Sequence, residues 1–230
     1  MSATYQQSSI TRPSLEVSDP ENNLLARAPR YRLTAEMIRD NALNTSGLIS
    51  TRMGGGGSKP YDLTESFKPM GHDKGEGLYR RSVYTFWKRT GPAPVMMALD
   101  ASKRDVCRAK RETTATPLQA LVLMNGPQFV EAARKIGESM VREHGDNIHS
   151  IIDDMFRKLT SRKPSEREIV LMKKLYNEQL ANFKKDIKAT DAFLGVGASP
   201  NAKNLDKPQV AAAGVLAKAL MNFDEAVIKR

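Results

Sequence analysis

The sequence has few of the residues that most often carry chemistry or cross-link a fold. It contains one cysteine and three histidines in 230 residues, and aromatic side chains make up 6%. One cysteine forms no internal disulfide and supplies no cysteine-based zinc site. We therefore expect a fold stabilised by its hydrophobic core, and we predict neither a metal nor a cofactor.

Long hydrophobic runs are also missing. No stretch approaches the roughly 18 apolar residues of a membrane span, and the first residues, MSATYQQSSITRPSLEV, lack the apolar centre of an export signal. Expressed as it stands, the chain is expected to stay in the cytoplasm. At 40% hydrophobic and 27% charged residues, its composition is typical of a globular protein.

Positive charge is abundant and concentrated. The net charge is +10, and nine cations against two acids between Arg80 and Arg111 supply +7 of it. Basic proteins attract nucleic acid, anionic glycans and anionic membrane surfaces.

The hydrophobic pattern predicts a mainly α, compact helical domain with long ordered loops. We expect one domain over residues 1–230, with an extended arm at 1–30, a central region at 31–143 and a helical part at 147–230. One short helical turn is expected at 23–26 and a loop at 184–208. Longer helices are predicted at 33–46, 129–143, 147–159, 165–186 and 206–221.

Three helix starts have clear signals. Thr34 is a good N-cap, Thr116 is followed by Pro117, and Ser165 with Glu168 forms a capping box. The helix after Thr116 is apolar on every face, a pattern that predicts burial.

Residues 79–88 are rich in β-formers and are the best strand candidate, although a helix stays possible. We expect at most a small β element there. Four glycines at 54–57 have no strand before them and no helix after them, so they indicate a flexible or tight connection rather than a phosphate loop.

The strongest functional feature is a set of cations beside aromatic residues. Such a set suits a polyanion, either a sulfated or uronic glycan or nucleic acid. Alternatively, the aromatics are core and the arginines bond to helix ends and aspartates. The candidate ligand-binding residues are Arg80, Arg81, Trp87, Lys88, Arg89, Arg104, Arg108 and Arg111.

Carboxylates provide a weaker candidate site. Asp100 and Asp105 flank the basic loop, and with Arg81 they are the nearest candidates for acid–base work on a glycoside. The alternative is that both aspartates pair with neighbouring arginines and fix the loop.

The histidines and the cysteine carry less signal. His144 and His149 are five residues apart, which does not place them on one helix face, and His72 is distant. We expect solvated histidines. Cys107 lies among cations that would favour its thiolate, but no partner is evident, and an ordinary thiol is expected.

Several long motifs resemble a planctomycete family of domains of unknown function, family 1553. They include RRSVYTFWKRTGPAP, the later positions Asp100, Arg104 and Cys107, and then TPLQALVLMN and FVEAAR. Further similar segments are RLTAEMIRDNAL, KPY, Arg162-Lys163-Pro164 and ALMNFDE near the end.

The resemblance implies the C-terminal domain of large exported cell-envelope proteins. Such proteins usually carry a second domain of unknown function upstream, and often a cytochrome-c-like domain whose haem is held by C-x-x-C-H. This chain lacks that motif, so no haem is expected. By comparison with the family, the domain's first helices are expected to be missing, leaving an apolar surface exposed.

We therefore expect a non-catalytic interaction module of a periplasmic or cell-envelope protein, for a partner domain or an anionic polymer such as a glycan. A catalytic domain acting on polysaccharide is the alternative. Nucleic-acid binding would explain the charge, but no known binding motif accompanies it.

Overall fold

The computed structural model describes residues 3, 6–61, 63–65, 68–88, 93–103 and 107–229. Within them the chain is mainly α-helical, as predicted, with two small two-stranded sheets. The strands are β1 (Tyr31–Arg32), β2 (Leu63–Glu65), β3 (Lys68–Met70) and β4 (Ile228–Lys229). The helices are α1 (Pro13–Ser18), α2 (Ala35–Thr45), α3 (Pro94–Ala98), α4 (Pro117–Asn125), α5 (Pro127–His144), α6 (Ile148–Thr160), α7 (Glu166–Lys185), α8 (Ile187–Leu194), α9 (Lys207–Leu220) and α10 (Asp224–Val227).

The centre of the fold is the contact between α5 and α9. Helix α5 presents Phe129, Ile136 and Met140 to the interior, and the small side chains of α9 allow the two helices to approach closely. Helices α6, α7 and α8 pack around this pair. One hydrophobic cluster extends from Ala35 in α2 to Val227 in α10.

The predicted helix starts are confirmed by their cap contacts. The Thr34 hydroxyl accepts from the Met37 amide at 3.3 Å, and the Thr116 hydroxyl accepts from the Gln119 amide at 3.4 Å. Ser165 begins α7 with a complete capping box. Each contact satisfies an amide that the first helical turn leaves unbonded.

The first sheet joins distant parts of the chain. Strand β1 pairs with β4 in antiparallel register, with Tyr31 opposite Lys229 and Arg32 opposite Ile228. Strands β2 and β3 form a separate short hairpin. Neither ladder was predicted, because each strand is too short to show alternation.

The prediction of a strand within residues 79–88 was wrong. The chain there forms two 3-10 turns, Gly75–Tyr79 and Ser82–Tyr84, with isolated β-bridges at Arg80 and Thr85. Buried Arg39 donates hydrogen bonds to the carbonyls of Leu78 and Arg80. Because Arg39 occupies backbone carbonyls that a strand would use to pair with a neighbouring strand, the β-rich segment forms turns instead.

Two other segments differ from prediction. The N-terminal helix is α1 and not residues 23–26, which contain a turn at 23–24 and a positive φ value at Leu25. Helix α8 lies inside the predicted loop at 184–208, and it begins where Asp186 caps the Ala189 amide at 2.9 Å. Within the described part of the chain, no helix is both long and apolar enough to cross a bilayer.

Candidate functional site

Helix α4 is apolar all round, yet only one side of it is covered. Leu123 is 3% exposed, whereas Leu118 is 56%, Leu121 is 55% and Met124 is 43% exposed. The predicted complete burial of this helix was therefore wrong. We call the side formed by Leu118, Leu121 and Met124 the outer face of α4.

The start of α4 is held by a hydrogen-bonded carboxylate. Asp100 Oδ2 accepts from the Thr114 amide and hydroxyl, both at 2.7 Å, and from Gln119 Nε2 at 2.9 Å. Gln119 in turn accepts from Arg32 at 2.7 Å. Burial opposes ionisation of Asp100, but the hydrogen bonds outweigh it and keep its pKa below the ordinary value. A carboxylate held ionised in this way is poorly suited to act as a general acid.

Arg80 stabilises the glycine-rich loop at residues 54–57 through hydrogen bonds to its backbone. It is 8% exposed, and its guanidinium donates to the carbonyls of Gly54 and Gly56 at 2.5 and 2.8 Å. The guanidinium also lies 4.0 Å from the centre of the Tyr84 ring. The loop thus directs carbonyl oxygens at a cation, which is the opposite polarity to a phosphate-binding loop.

Three other predicted ligand-binding cations have acidic partners. Arg81 lies 4.0 Å from Asp40, Arg108 lies 2.9 Å from Glu112 and Arg111 lies 2.8 Å from Glu36. The Trp87 indole donates to the Lys103 carbonyl at 2.6 Å, and Lys88 also has an interaction within the chain. Arg89, Arg104 and Asp105 lie outside the described residues.

The structure brings part of the predicted set together. Asp100, Arg108 and Arg111 line one small pocket of about 90 Å³, alongside Lys103 and Glu112, which were not predicted as site residues. Arg81 is not among its lining residues, so the proposed grouping of Arg81 with Asp100 is not observed.

The described histidines lie at the surface. His144 Nε2 is 3.1 Å from Asp154 Oδ2, and Glu143 lies beside them with the spacing of a possible metal site. The Lys158 ammonium, however, contacts both carboxylates, at 3.4 Å from Glu143 and 3.1 Å from Asp154. We therefore interpret the group as an ion-pair network. Cys107 is exposed.

A cleft that the sequence did not predict lies between the 3-10 turns, α3, α5 and the loop after α8. It encloses about 470 Å³, and its walls include Tyr61, Leu78, Val95 and Ala198. The acidic residue in its lining is Glu131, which is 3% exposed.

Hydrogen bonds hold one oxygen of Glu131 in place. Oε1 accepts from the Tyr79 hydroxyl at 2.7 Å and from the Ser199 amide at 2.6 Å. Burial and this carboxylate raise the pKa of Tyr79, so the phenol stays protonated as a donor. Tyr79, Glu131 and Ser199 come from three distant parts of the chain. The sequence near each residue gives no sign of this group except an acidic residue on the inward side of α5.

The fold and these contacts define a mainly helical domain with an exposed apolar helix face and a cleft containing one carboxylate. A family model described as "Protein of unknown function (DUF1553)" matches residues 1–176. The chain belongs to this family, which confirms the resemblance noted in its motifs. No curated protein and no solved structure matches the chain.

Proposed function

We propose that this domain is a non-catalytic interaction module, acting as one unit, that docks a partner protein domain on the outer face of α4. The observation that carries the proposal is the exposure of three large apolar side chains, Leu118, Leu121 and Met124, along one side of a single helix. A helix that is apolar all round is normally covered on both sides, and grouped apolar exposure marks interaction surfaces.

The outer face of α4 supplies part of the energy of a specific contact, and further contacts offset the cost of association. Complete burial of an exposed Leu or Met side chain contributes about 1.5–3 kcal/mol. Burying the remaining half of three such side chains therefore contributes about 3 kcal/mol, or roughly a hundredfold in affinity. The partner is expected to present a complementary apolar strip. The family resemblance favours an upstream domain of the same exported architecture, in the cell envelope.

Two features support a non-catalytic role. Asp100 is ionised and hydrogen-bonded to Thr114 and Gln119, and Arg81 lies apart from it, near Asp40. An ionised Asp100 is poorly suited to be the general acid of a glycosidase, and the other candidate carboxylate, Asp105, lies outside the described residues. The polysaccharide-cleaving alternative therefore has no identified general acid among the described candidates.

Binding of an anionic polymer is the second candidate. Lys103, Arg108 and Arg111 line the 90 Å³ pocket together with the acids Asp100 and Glu112. Arg108 and Arg111 already have carboxylate partners, so a sulfate or carboxylate group would bind there by replacing these exposed pairs. An anionic glycan array at low and high salt tests this function, because exposed charge pairing is screened by salt. If no glycan binds in a salt-sensitive way, this second function is excluded.

The docking proposal is tested by binding to an upstream domain of the family architecture, which is the partner that the resemblance favours. We expect Leu121→Asp to weaken that binding by at least about tenfold, because the carboxylate would be buried in the interface. Val170→Asp is the matched control, since Val170 is an apolar residue of α7 with 66% exposure. It should leave the affinity unchanged. Binding by Leu121→Asp within about twofold of the unsubstituted chain would contradict the proposal.

A further inference from the structure

The cleft beside Glu131 has the form of a small-molecule site. Its volume of about 470 Å³ lies in the usual range for ligand pockets, which are mostly apolar with a few placed polar groups. Leu78, Val95 and several prolines form apolar walls, and Glu131 contributes a buried carboxylate. Because the outer face of α4 takes no part in this cleft, the inference is independent of the proposed docking function.

The Glu131 carboxylate is only half satisfied by the described residues. Both of its short hydrogen bonds, from Tyr79 and Ser199, reach Oε1. Among the described residues, none donates a hydrogen bond to Oε2. Oε2 is therefore the acceptor of Glu131 that the described residues leave open to a ligand.

The neighbouring cations are directed at another acid. Arg134 Nη1 lies 2.8 Å from Glu138 Oε1 and Lys135 Nζ lies 2.5 Å from Glu138 Oε2. Among the described residues, the nearest cationic atom to Glu131 is Arg134 Nη2, which forms a long ion pair with Oε1 at 3.9 Å. This pair is made through Oε1, and Glu131 is as deeply buried as Glu138.

Three other polar residues line the cleft. Gln128 accepts from Arg39 at 2.8 Å and donates to the Pro60 carbonyl at 2.9 Å, and His72 also has an interaction within the chain. The Tyr61 hydroxyl is buried without a hydrogen-bond partner, and the Arg39 guanidinium lies 5.7 Å from the centre of its ring. Among the described lining residues, Glu131 is the one acid, and it is set between apolar walls.

From this geometry we infer that the cleft binds a primary ammonium group carried on a short aliphatic chain. The ammonium ion pairs with Glu131 Oε2, and the methylene groups contact Leu78, Val95 and the prolines. A free alkylamine and a lysine side chain of another polypeptide have this same chemistry.

The test is an NMR titration of the whole chain with n-butylamine at neutral pH, following the amides of Tyr79, Gly197 and Ser199. We expect saturable shifts with a Kd of about 1–10 mM, the range that a few apolar contacts and one ion pair supply. n-Butanol has the same chain without the charge, and it should give no saturable shifts. A blocked Gly-Lys-Gly peptide separates the two sources: shifts at the same amides identify a lysine side chain, and their absence identifies a free amine.

Two variants keep the test decisive. Glu131→Gln should abolish the butylamine shifts, whereas Glu138→Gln, at a buried acid that does not line the cleft, should retain them. If Glu131→Gln does not fold, Ala198→Trp provides the answer, because Ala198 is exposed at the cleft wall and a bulky side chain there blocks entry. The inference is overturned if butylamine gives no saturable shifts, if butanol gives equal shifts, or if binding survives Glu131→Gln or Ala198→Trp.

Discussion

Gly137 of α5 lies directly against Gly214 of α9. A Cβ atom on Gly137 would be 2.6 Å from the Gly214 amide nitrogen and 2.7 Å from the Val210 carbonyl oxygen. Both obstacles are backbone atoms, so neither can rotate away. The close approach of α5 to α9 at this point thus depends on the absence of a methyl group at Gly137.

We predict that Gly137→Ala lowers the free energy of unfolding by at least about 2 kcal/mol, because α5 and α9 must separate to admit the methyl group. Urea denaturation followed by circular dichroism measures the change. Gly56→Ala is the control, since a Cβ there would meet nothing within 4 Å. A change of less than about 0.5 kcal/mol for Gly137→Ala would show that the two helices do not approach so closely.

The buried Arg39 side chain should be one of the most sensitive positions. Its guanidinium donates to the carbonyls of Leu78 and Arg80 and to the Ser82 hydroxyl, at 2.7 to 3.0 Å. Arg39→Met leaves these acceptors buried without donors, and we expect a loss of about 3–5 kcal/mol. Arg81 is an exposed arginine, and Arg81→Met should lower the free energy of unfolding by less than about 0.5 kcal/mol. Equal effects of the two substitutions would contradict the assigned roles.

The free energy of unfolding should fall at low pH because Glu168 becomes protonated. Hydrogen bonds from Arg162 lower the pKa of Glu168 from 4.5 to about 2. Because the folded-state pKa is depressed, the stabilisation is complete above about pH 4.5 and disappears as the pH falls to about 2. The shift corresponds to roughly 3 kcal/mol in full, which screening at the partly exposed Arg162 reduces to about 1–2 kcal/mol.

Glu168→Gln removes the titrating group, so this variant should lose less stability than the unsubstituted chain across the same pH window. Chemical denaturation at several pH values gives both curves. Parallel curves would mean that the Arg162–Glu168 pair contributes nothing to acid sensitivity.

Two leucines of α4 provide an internal comparison. Leu123 is 3% exposed and Leu121 is 55% exposed. Leu123→Ala should cost about 2–4 kcal/mol by leaving a cavity, and Leu121→Ala should change stability by less than about 0.5 kcal/mol. Thermal or urea unfolding tests both, and a large cost at Leu121 would show that the outer face is covered within the isolated chain.

Signals carried by neighbouring residues were predictable from the sequence. Thr34, Thr116 and the pair Ser165 and Glu168 identified three helix starts, because a cap and the amide that it satisfies lie within one turn. The family motifs were equally local, since each is a continuous run of residues.

Features that depend on distant residues were not predictable. The β-rich pattern at 79–88 is overridden by Arg39, which lies about forty residues earlier and donates to the carbonyls of Arg80 and of the preceding Leu78. Glu131 in the cleft wall is hydrogen-bonded by Tyr79 and Ser199, and no spacing rule connects these three residues. For α4, hydrophobicity indicates that a helix prefers to be covered, but not whether the covering surface belongs to the same chain.

Oxidation of Met124 tests the central claim most directly. Met124 on the outer face is 43% exposed, and Met53 in the glycine-rich loop is 79% exposed, so it serves as an internal reference. In the isolated chain, hydrogen peroxide should convert both to the sulfoxide, as read by peptide mass spectrometry. In the native protein purified from its own cells, we predict that Met124 is protected while Met53 still reacts. Oxidation of Met124 at the same rate relative to Met53 in both samples would contradict docking on α4.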